Sequence, residues 1–282
     1  MKVLQDGLNQ IIENLRERYG ESEPGIYTKP SERCAYNKCD GSGFILLLDE
    51  NKNTVMRECN CNKRKEIDIK LKTAEIPENF LNCTVADFSI DVYEEEEDRE
   101  IAKLAKQIAS KFVENYEICK ERGKGLYFYS QVTGSGKSRL AISVGNDLVE
   151  RLNIDLLYIS SANAIFELQN SFDSKSEYTA QQILNRYQKV ELLIIDDLGV
   201  ENKSDWSEGI ITQILEERMN NRKLTIITSN IKIEELSLTY KKGRIKSRID
   251  YMTFPIDMPE EDVREEEAIE KNTKIFNELF DV

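Results

Sequence analysis

A short glycine-rich loop that ends in lysine and serine constrains the fold of this chain more than any other sequence feature. The segment Thr133-Gly-Ser-Gly-Lys-Ser138 follows an apolar stretch that begins at Leu126, and it precedes a helical pattern. Gly134 and Gly136 let the backbone close around phosphate oxygens, with amide N–H groups and the helix N-terminus pointing inward. A strand, this loop and a helix in that order predict a phosphate-binding loop within an α/β domain.

The residue types of the loop match the chemistry of a nucleoside triphosphate. Lys137 is predicted to neutralise the β and γ phosphates of ATP, and the Ser138 hydroxyl is predicted to coordinate Mg²⁺. The full pattern asks for glycine at position 131, where this chain has Gln131, so the geometry at the loop entry is expected to differ. The predicted ATP-binding residues of the loop are Thr133, Gly134, Ser135, Gly136, Lys137, Ser138 and Arg139.

A second motif further along the chain separates a functional loop from a chance match. The apolar run Leu192–Ile195 ends in two carboxylates, Asp196 and Asp197, as a Walker B strand does. Asp196 is predicted to hold Mg²⁺, directly or through water. Asp197 is predicted to polarise the attacking water, because the chain contains no histidine to act as the base. The alternative, a core strand followed by solvated acids, is disfavoured by the order of the two motifs.

A third apolar strand ends just before Asn230. In isolation this asparagine would mark only the end of a strand, since asparagine favours turns. Together with the two Walker motifs, Asn230 is predicted to sense the γ-phosphate or the lytic water from a neighbouring strand.

Beyond Arg99, helical patterns alternate with short apolar segments, which is typical of a parallel sheet with crossover helices. The predicted strands are 125–130, 155–160, 191–196, 224–229 and 252–256. The predicted helices between them are 138–151, 162–172, 178–187 and 206–219. We therefore expect an α/β fold in which a parallel five-stranded sheet carries helices on both faces.

The order of these segments resembles that of the AAA+ ATPases that load replicative helicases, the DnaC/DnaI type. The resemblance extends over residues 70–265 and includes Ile76-Pro-Glu-Asn-Phe80, Val85-Ala-Asp-Phe88, Gly134-Ser-Gly-Lys-Ser138, Ile194-Ile-Asp-Asp-Leu-Gly199, Ile226-Ile-Thr-Ser-Asn230 and Gly243-Arg-Ile-Lys-Ser-Arg-Ile249. It implies an AAA+ P-loop ATPase that loads a hexameric replicative DNA helicase onto single-stranded DNA. It also implies ATP turnover that is weak alone and stimulated by DNA or by a partner.

Two arginines take their expected roles from the same resemblance. Arg248 looks like the arginine finger that reaches the γ-phosphate of a neighbouring subunit, with Arg244 as the second candidate. Arg264 is similar in placement to a sensor II arginine that contacts ATP, although no lid domain is recognisable after it. The alternative for each is a solvated helix arginine. A finger implies self-assembly, because an arginine supplied in trans completes the site of another subunit.

Four cysteines form two close pairs ahead of the ATPase segment: Cys34, Cys39, Cys59 and Cys61. A predicted hairpin, 43–48 and 54–57, brings the pairs together, which suits a tetrahedral Zn²⁺ site. An iron–sulfur cluster and four unligated thiols are the alternatives. A zinc module in this position resembles the DnaI-type loaders. We therefore expect residues 1–70 to form a zinc-binding, helicase-interacting domain and residues 71–282 to form the AAA+ ATPase domain.

Composition limits the remaining classes of function. The net charge of −13 opposes general binding to duplex DNA. Every apolar run falls well short of the ~20 residues that a membrane span needs, and the first residues lack a signal-peptide pattern. We therefore expect a cytoplasmic protein without a membrane span. An amphipathic helix is expected within residues 1–19, and a turn is expected at residues 49–51.

Two further functions remain open. One is an IstB-like transposition helper ATPase that assembles on duplex DNA, which the acidic balance disfavours. The other is an adaptor that binds nucleotide as a switch without productive turnover. The effect of Asp197→Asn distinguishes the adaptor from an ATPase, since only a function that depends on turnover is lost.

Overall fold

The structure is a computed structural model that describes residues 28–48, 53–173 and 178–280. Two compact units are formed by Met1–Ile69 and by Lys70–Val282. The amphipathic helix expected within residues 1–19 and the turn expected at residues 49–51 lie outside the described residues.

The smaller unit contains a β-hairpin. Strand β1 (Phe44–Leu48) pairs antiparallel with strand β2 (Thr54–Glu58). Helix α1 (Asn60–Thr73) begins two residues after the hairpin. These elements confirm the predicted hairpin between the cysteine pairs. Among the described residues of this unit, the four cysteine side chains form a buried cluster, with Ile45 packed against them.

The larger unit is built on a five-stranded sheet in which all neighbouring strands are parallel. Its strands are β3 (Gly125–Tyr129), β4 (Leu156–Ser160), β5 (Leu192–Leu198), β6 (Leu224–Ser229) and β7 (Thr253–Asp257). Their spatial order is β4-β5-β6-β3-β7. The predicted strands are confirmed, with bounds that agree within two residues at each end. Apolar runs predict them well because strands buried on both faces need apolar side chains at almost every position.

Helices connect and flank these strands. They are α2 (Glu96–Glu114), α3 (Tyr116–Arg122), α4 (Lys137–Leu152), α5 (Ser161–Asn170), α6 (Ala180–Lys189), α7 (Asp205–Asn220), α8 (Leu236–Thr239), α9 (Arg244–Met252) and α10 (Val263–Phe280). Side-chain caps mark three of the helix starts. Ser160 accepts the Asn163 N–H at the start of α5, and capping boxes are formed by Thr179 with Gln182 and by Ser204 with Ser207. The four helices predicted between the strands are confirmed.

Buried apolar layers lie on both faces of the sheet. On one face, Leu193 and Ile195 pack in a cluster with side chains of α5, α6, α7 and α9. On the other face lies α4, so close that a Cβ added at Gly145 would come within 3.0 Å of the Ile194 side chain. Helices therefore cover both faces, as predicted. In the described part of the chain, no helix has both the length and the apolar character to span a bilayer.

The carboxyl ends of the strands meet at one edge of the sheet. Ser160 of β4 is level with Asp196 of β5, and Tyr129 of β3 is level with Ser229 of β6. A register shift in β5 follows Ile195, where the two carboxylates occur. The loops that follow β3, β5 and β6 therefore come together at the edge where open α/β sheets bind their ligands.

Candidate active site

The glycine-rich loop wraps the start of α4. Gly134 and Gly136 have φ angles of 78° and 87°, in the left-handed region that favours glycine. A Cβ at Gly136 would also lie 2.8 Å from the hydroxyl oxygen of Tyr93 and 3.1 Å from the Phe88 ring. Tyr93 in turn donates a hydrogen bond to the Ser135 carbonyl at 3.1 Å. Backbone conformation and close packing both require the glycine that precedes Lys137.

Lys137 is held inside the loop. Its side chain is buried, and its ammonium donates to the carbonyls of Ser130 and Val132 at 3.2 and 2.6 Å and to the Ser135 hydroxyl at 3.2 Å. Burial lowers the pKa of Lys137, while the carboxylate of Asp197 acts in the opposite direction. A phosphate bound by the loop amides would therefore meet a fixed positive charge.

The phosphate-binding pattern has glycine at position 131, but the backbone conformation of Gln131 does not require glycine there. Its φ lies outside the positive region that favours glycine. Its backbone N–H donates to both carboxylate oxygens of Glu260, at 3.2 and 3.1 Å. The Ser130 hydroxyl also donates to the Pro259 carbonyl at 2.7 Å. The entry of the loop is thus attached to the segment between β7 and α10.

The two carboxylates that end the Walker B run differ in their surroundings. Asp196 is buried and accepts hydrogen bonds from the hydroxyls of Thr228 and Tyr158, at 2.6 and 2.7 Å. Asp197 is half-buried and adopts a left-handed φ of 52°. Burial, followed by the neighbouring charge of Asp196, raises the pKa of Asp197. A carboxylate with a raised pKa is a stronger base for a proton from water.

One cavity of about 570 Å³ brings most of the predicted ATP-site residues together. Those that line it are Thr133, Gly134, Ser135, Gly136, Lys137, Ser138, Arg139, Asp197, Asn230 and Arg264. The Oδ1 atom of Asn230 is buried and has no hydrogen-bond partner among the described residues. Because an unpaired buried amide is costly, this atom points to a ligand or water in the cavity. The lining does not include Asp196, whose oxygens are used by Thr228 and Tyr158.

Six lining residues were not assigned to the site from the sequence. Two of them are Val200, which follows β5, and Val263, which begins α10. Asn79 and Phe80 come from a 3₁₀ turn, Glu78–Phe80, and Asn272 and Ile275 come from α10. The Asn146 amide of α4 donates to the Phe80 carbonyl at 2.8 Å, which holds the turn against α4. The Ile76–Phe80 segment was the only sequence signal, since it carried part of the resemblance. Its contact with the cavity depends on packing between residues that are far apart in sequence.

Arg248 does not line the cavity of its own chain. Its guanidinium forms an ion pair with Glu216 of α7 at 2.9 Å and donates to the Arg244 carbonyl at 3.0 Å. The Arg248 side chain is only 15% exposed, whereas Arg244, one turn earlier on α9, is exposed. For Arg248 to reach a phosphate on another subunit, the ion pair with Glu216 must open.

The four cysteines of the smaller unit form one buried cluster. Their sulfur atoms all lie within 4.8 Å of one another, with Cys34 3.7 Å from Cys59 and Cys39 3.3 Å from Cys61. A tetrahedral Zn²⁺ site with Zn–S bonds of about 2.3 Å places sulfurs roughly 3.8 Å apart, so the spacing fits. The backbone N–H of Lys38 donates to the Cys34 sulfur, and that of Gly41 donates to the Cys39 sulfur, at 3.4 Å each.

The electrostatics of this cluster also fit a cation. The pKa of Cys34 is lowered to about 6, chiefly by the Lys38 N–H, whereas burial and the neighbouring thiol of Cys39 raise the pKa of Cys61. Four thiolates this close repel one another, and a bound divalent cation removes that penalty. The donor set is therefore compatible with Zn²⁺, which these four thiolates would hold as a structural ion.

Comparison with known proteins matches residues 45–249 to the family of IstB-like ATP binding proteins. The replicative helicase loader DnaC of Buchnera aphidicola subsp. Schizaphis graminum (strain Sg) is 28% identical over 178 residues, which is 63% of this chain and 66% of that protein. The replicative helicase loader DnaI of Bacillus subtilis (strain 168) is 24% identical over 93% of this chain and 84% of its own length. A crystal structure of the DnaC helicase loader has a TM-score of 0.54 and 26% identity, covering 64% of this chain and 99% of that one.

Proposed function

This chain belongs to the family of IstB-like ATP binding proteins, and we propose that it is an ATPase that loads a hexameric replicative DNA helicase onto single-stranded DNA. The observation that carries hydrolysis is the cavity in which Lys137, Asp197 and Asn230 converge. Helicase loading is supported by the relatives named as loaders, one of which matches along most of this chain.

The loop and the Walker B carboxylates bind the substrate and its metal. The amides of the loop and the Lys137 ammonium bind the β and γ phosphates of ATP. Ser138 and Asp196 would hold Mg²⁺, since the Asp196 oxygens keep lone pairs while they accept the hydroxyls of Tyr158 and Thr228. The ion, when bound, neutralises phosphate charge. Arg139 and Arg264 add positive charge around the triphosphate.

Asp197 acts as the base for hydrolysis. It takes a proton from a water molecule as the water oxygen bonds to the γ phosphorus and the bond from that phosphorus to the β–γ bridging oxygen breaks. Its raised pKa favours this proton transfer. Asn230 orients the water or the γ-phosphate from the end of β6. The products are ADP and phosphate.

Arg248 makes turnover depend on assembly. We assign it the role of an arginine finger on the γ-phosphate of a neighbouring subunit, with Arg244 as the second candidate. The ion pair with Glu216 restrains Arg248 in the isolated chain. Activity is therefore weak alone and rises when a helicase or single-stranded DNA brings subunits together.

Residues 1–70 are assigned to helicase binding, with Zn²⁺ held by the four buried cysteine thiolates. Cys34 and Cys39 precede β1 while Cys59 and Cys61 follow β2, so a cation held by them would fix the two ends of the hairpin region. A rigid zinc-held surface suits recognition of a protein partner, since little ordering remains to be done on binding.

The proposed function is tested by measuring ATP hydrolysis by the zinc-loaded chain in three conditions. These are the chain alone, with single-stranded DNA, and with both DNA and the replicative helicase of the same cell. We expect weak turnover alone, higher turnover with both additions, and helicase on the DNA only when the chain and ATP are present. Lys137→Ala is the control and removes both activities. No complex with the helicase, together with unstimulated turnover, would contradict helicase loading.

The family match also favours a second candidate, a transposition helper ATPase that assembles on duplex DNA. It predicts assembly that lengthens with the duplex and ATP turnover that duplex DNA stimulates more than single-stranded DNA does. The net charge of −13 opposes this mode of binding. A nucleotide-switched adaptor is distinguished by Asp197→Asn, which leaves an adaptor functional and stops a loader that depends on turnover.

A further inference from the structure

Glu201 is a buried carboxylate close to the active site, and the mechanism above does not use it. Its side chain is 3% exposed and lies in the loop between β5 and α7. Within the described residues, no lysine or arginine forms an ion pair with it. A buried carboxylate without a cation is costly, and it persists where hydrogen-bond donors surround it.

Three donors from three separate parts of the chain converge on this carboxylate. Oε2 accepts from the Ser161 hydroxyl at 2.7 Å and from the Gly199 N–H at 2.9 Å. Oε1 accepts from the Tyr240 hydroxyl. Ser161 begins α5, Gly199 follows β5, and Tyr240 precedes α9. Glu201 thus joins its own loop after β5 to the start of α5 and to the turn before α9.

The first of these donors, Ser161, also lies against the backbone of Asp197. The Ser161 hydroxyl lies 2.8 Å from the Asp197 carbonyl as well as 2.7 Å from Glu201, so it sits between them. The Asp197 N–H donates to the Thr228 hydroxyl at 2.9 Å. Asp197 has a left-handed φ of 52°, which aspartate tolerates better than most residues, and the hydrogen bonds of its N–H and carbonyl fix this conformation.

The third donor leads to the helix that carries Arg248. The Tyr240 carbonyl accepts the N–H of Gly243 at 3.1 Å, and α9 begins at the next residue. Gly243 has a φ of 64°, so this turn also has a defined left-handed geometry. A displacement of the Tyr240 turn would therefore change the hydrogen bond to Glu201, and through Glu201 the position of the loop that carries Asp197.

We propose that Glu201 is a positioning residue that holds Asp197 in its hydrolytic conformation and couples it to the turn before α9. This inference rests on the proposed function, in which Asp197 takes the proton from water. Glu201 touches neither ATP nor the attacking water, because it is not among the residues that line the cavity. Its effect is on the orientation of Asp197 rather than on the binding of nucleotide.

The test compares kcat and KM for ATP, and the dissociation constant of Mg-ATP, in variants of the full zinc-loaded chain. Glu201→Leu removes both acceptor oxygens at similar length. We expect kcat to fall by about 10- to 100-fold, with KM and the dissociation constant within about twofold, because misplacing a reacting group affects chemistry more than binding. Glu201→Gln keeps one acceptor oxygen, so its kcat falls less.

Ser161→Ala gives an independent readout in case Glu201→Leu does not fold. We expect it to lower kcat, and the double variant Ser161→Ala with Glu201→Gln to lose less than the product of the two single losses. The two side chains share one hydrogen bond, so their effects on kcat are coupled. A purely structural role of Glu201 would lower the melting temperature without this coupling in kcat.

The matched control is Glu208→Gln. Glu208 is another buried carboxylate, and it accepts the Lys242 N–H at 3.1 Å, a bond that glutamine retains. We expect its kcat to stay at the wild-type value. Unchanged kcat in folded Glu201→Leu and Glu201→Gln, or equal losses in Glu208→Gln, would overturn the inference. If wild-type chain does not hydrolyse ATP, or Asp197→Asn retains turnover, the proposed function itself fails instead.

Discussion

Among the described residues of the smaller unit, the buried cluster consists of four cysteine side chains with Ile45 against them, so the candidate metal site lies in this cluster. In the larger unit, the candidate ATP cavity lies at the edge of a sheet whose two faces carry apolar layers. The cysteine cluster therefore contributes directly to the folding of its unit, whereas the cavity is formed by a sheet that other side chains stabilise. Single side chains should therefore matter for folding in the smaller unit and mainly for chemistry in the larger one.

The largest expected effect is the loss of the metal from the cysteine cluster. Cys39→Ser, or removal of Zn²⁺ with a chelator, is expected to unfold the hairpin, because binding of structural zinc is worth about 10 kcal/mol or more in small zinc modules. Metal content and amide hydrogen exchange across β1 and β2 measure the change. Mg-ATP binding is expected to persist. If the amides of β1 and β2 stayed protected from exchange in the metal-free chain, the smaller unit would not depend on its metal for folding.

Asp197→Asn is expected to separate activity from stability in the larger unit. Turnover should fall by about 10²-fold or more, since a general base contributes at least that much. The melting temperature should rise, because asparagine removes a half-buried charge beside Asp196 and, like aspartate, tolerates the left-handed φ of 52°. Steady-state kinetics and thermal unfolding are the measurements. A lower melting temperature would show that Asp197 supports the fold.

The pH dependence of this stability difference has a defined sign. Burial, and then Asp196, raise the pKa of Asp197 in the folded chain above its ordinary value of 3.8. The folded state therefore holds this proton more tightly than the unfolded state, and ionisation costs stability as pH rises above 3.8. Asp197→Asn removes that cost. Its advantage in melting temperature over wild type should grow with pH from this value and then level off.

A smaller effect is expected from trimming the core beneath the ATP site. Ile194 is completely buried in β5, and Ile194→Val removes one methylene group. The free energy of unfolding should fall by about 1 kcal/mol. The dissociation constant of Mg-ATP should not change, because the sheet keeps its form. Denaturant unfolding and calorimetry test the two parts. Large loss of ATP affinity would mean that the cavity depends on each core side chain.

The smallest effect is expected at the position where the loop departs from the usual pattern. Gln131→Gly should leave the affinity for Mg-ATP unchanged, because the backbone N–H that bonds Glu260 remains and φ at this position is not positive. The free energy of unfolding should fall by about 0.5–1 kcal/mol, since glycine gains conformational freedom in the unfolded chain. A marked gain in ATP affinity would show that glutamine impairs the loop.

Sequence reasoning succeeded where the relevant interactions are local. The strands follow from apolar runs, and the helix after Lys137 follows from its periodicity and the preceding glycines. It did not reach Asn79 or Phe80, whose place at the cavity depends on a bond from Asn146 of α4. It also did not reach Glu201, because an isolated glutamate in a loop carries no pattern.

By itself the sequence determined the order of the strands along the chain, the phosphate-binding loop and the four candidate metal ligands. Each of these depends on neighbouring residues and on the alternation of polar and apolar side chains. Only the tertiary structure decided that Asp196 is held by Tyr158 and Thr228 while Asp197 faces the cavity. It also decided that Arg248 is restrained by Glu216. Strand order and helix packing set these contacts, which join residues distant in the chain.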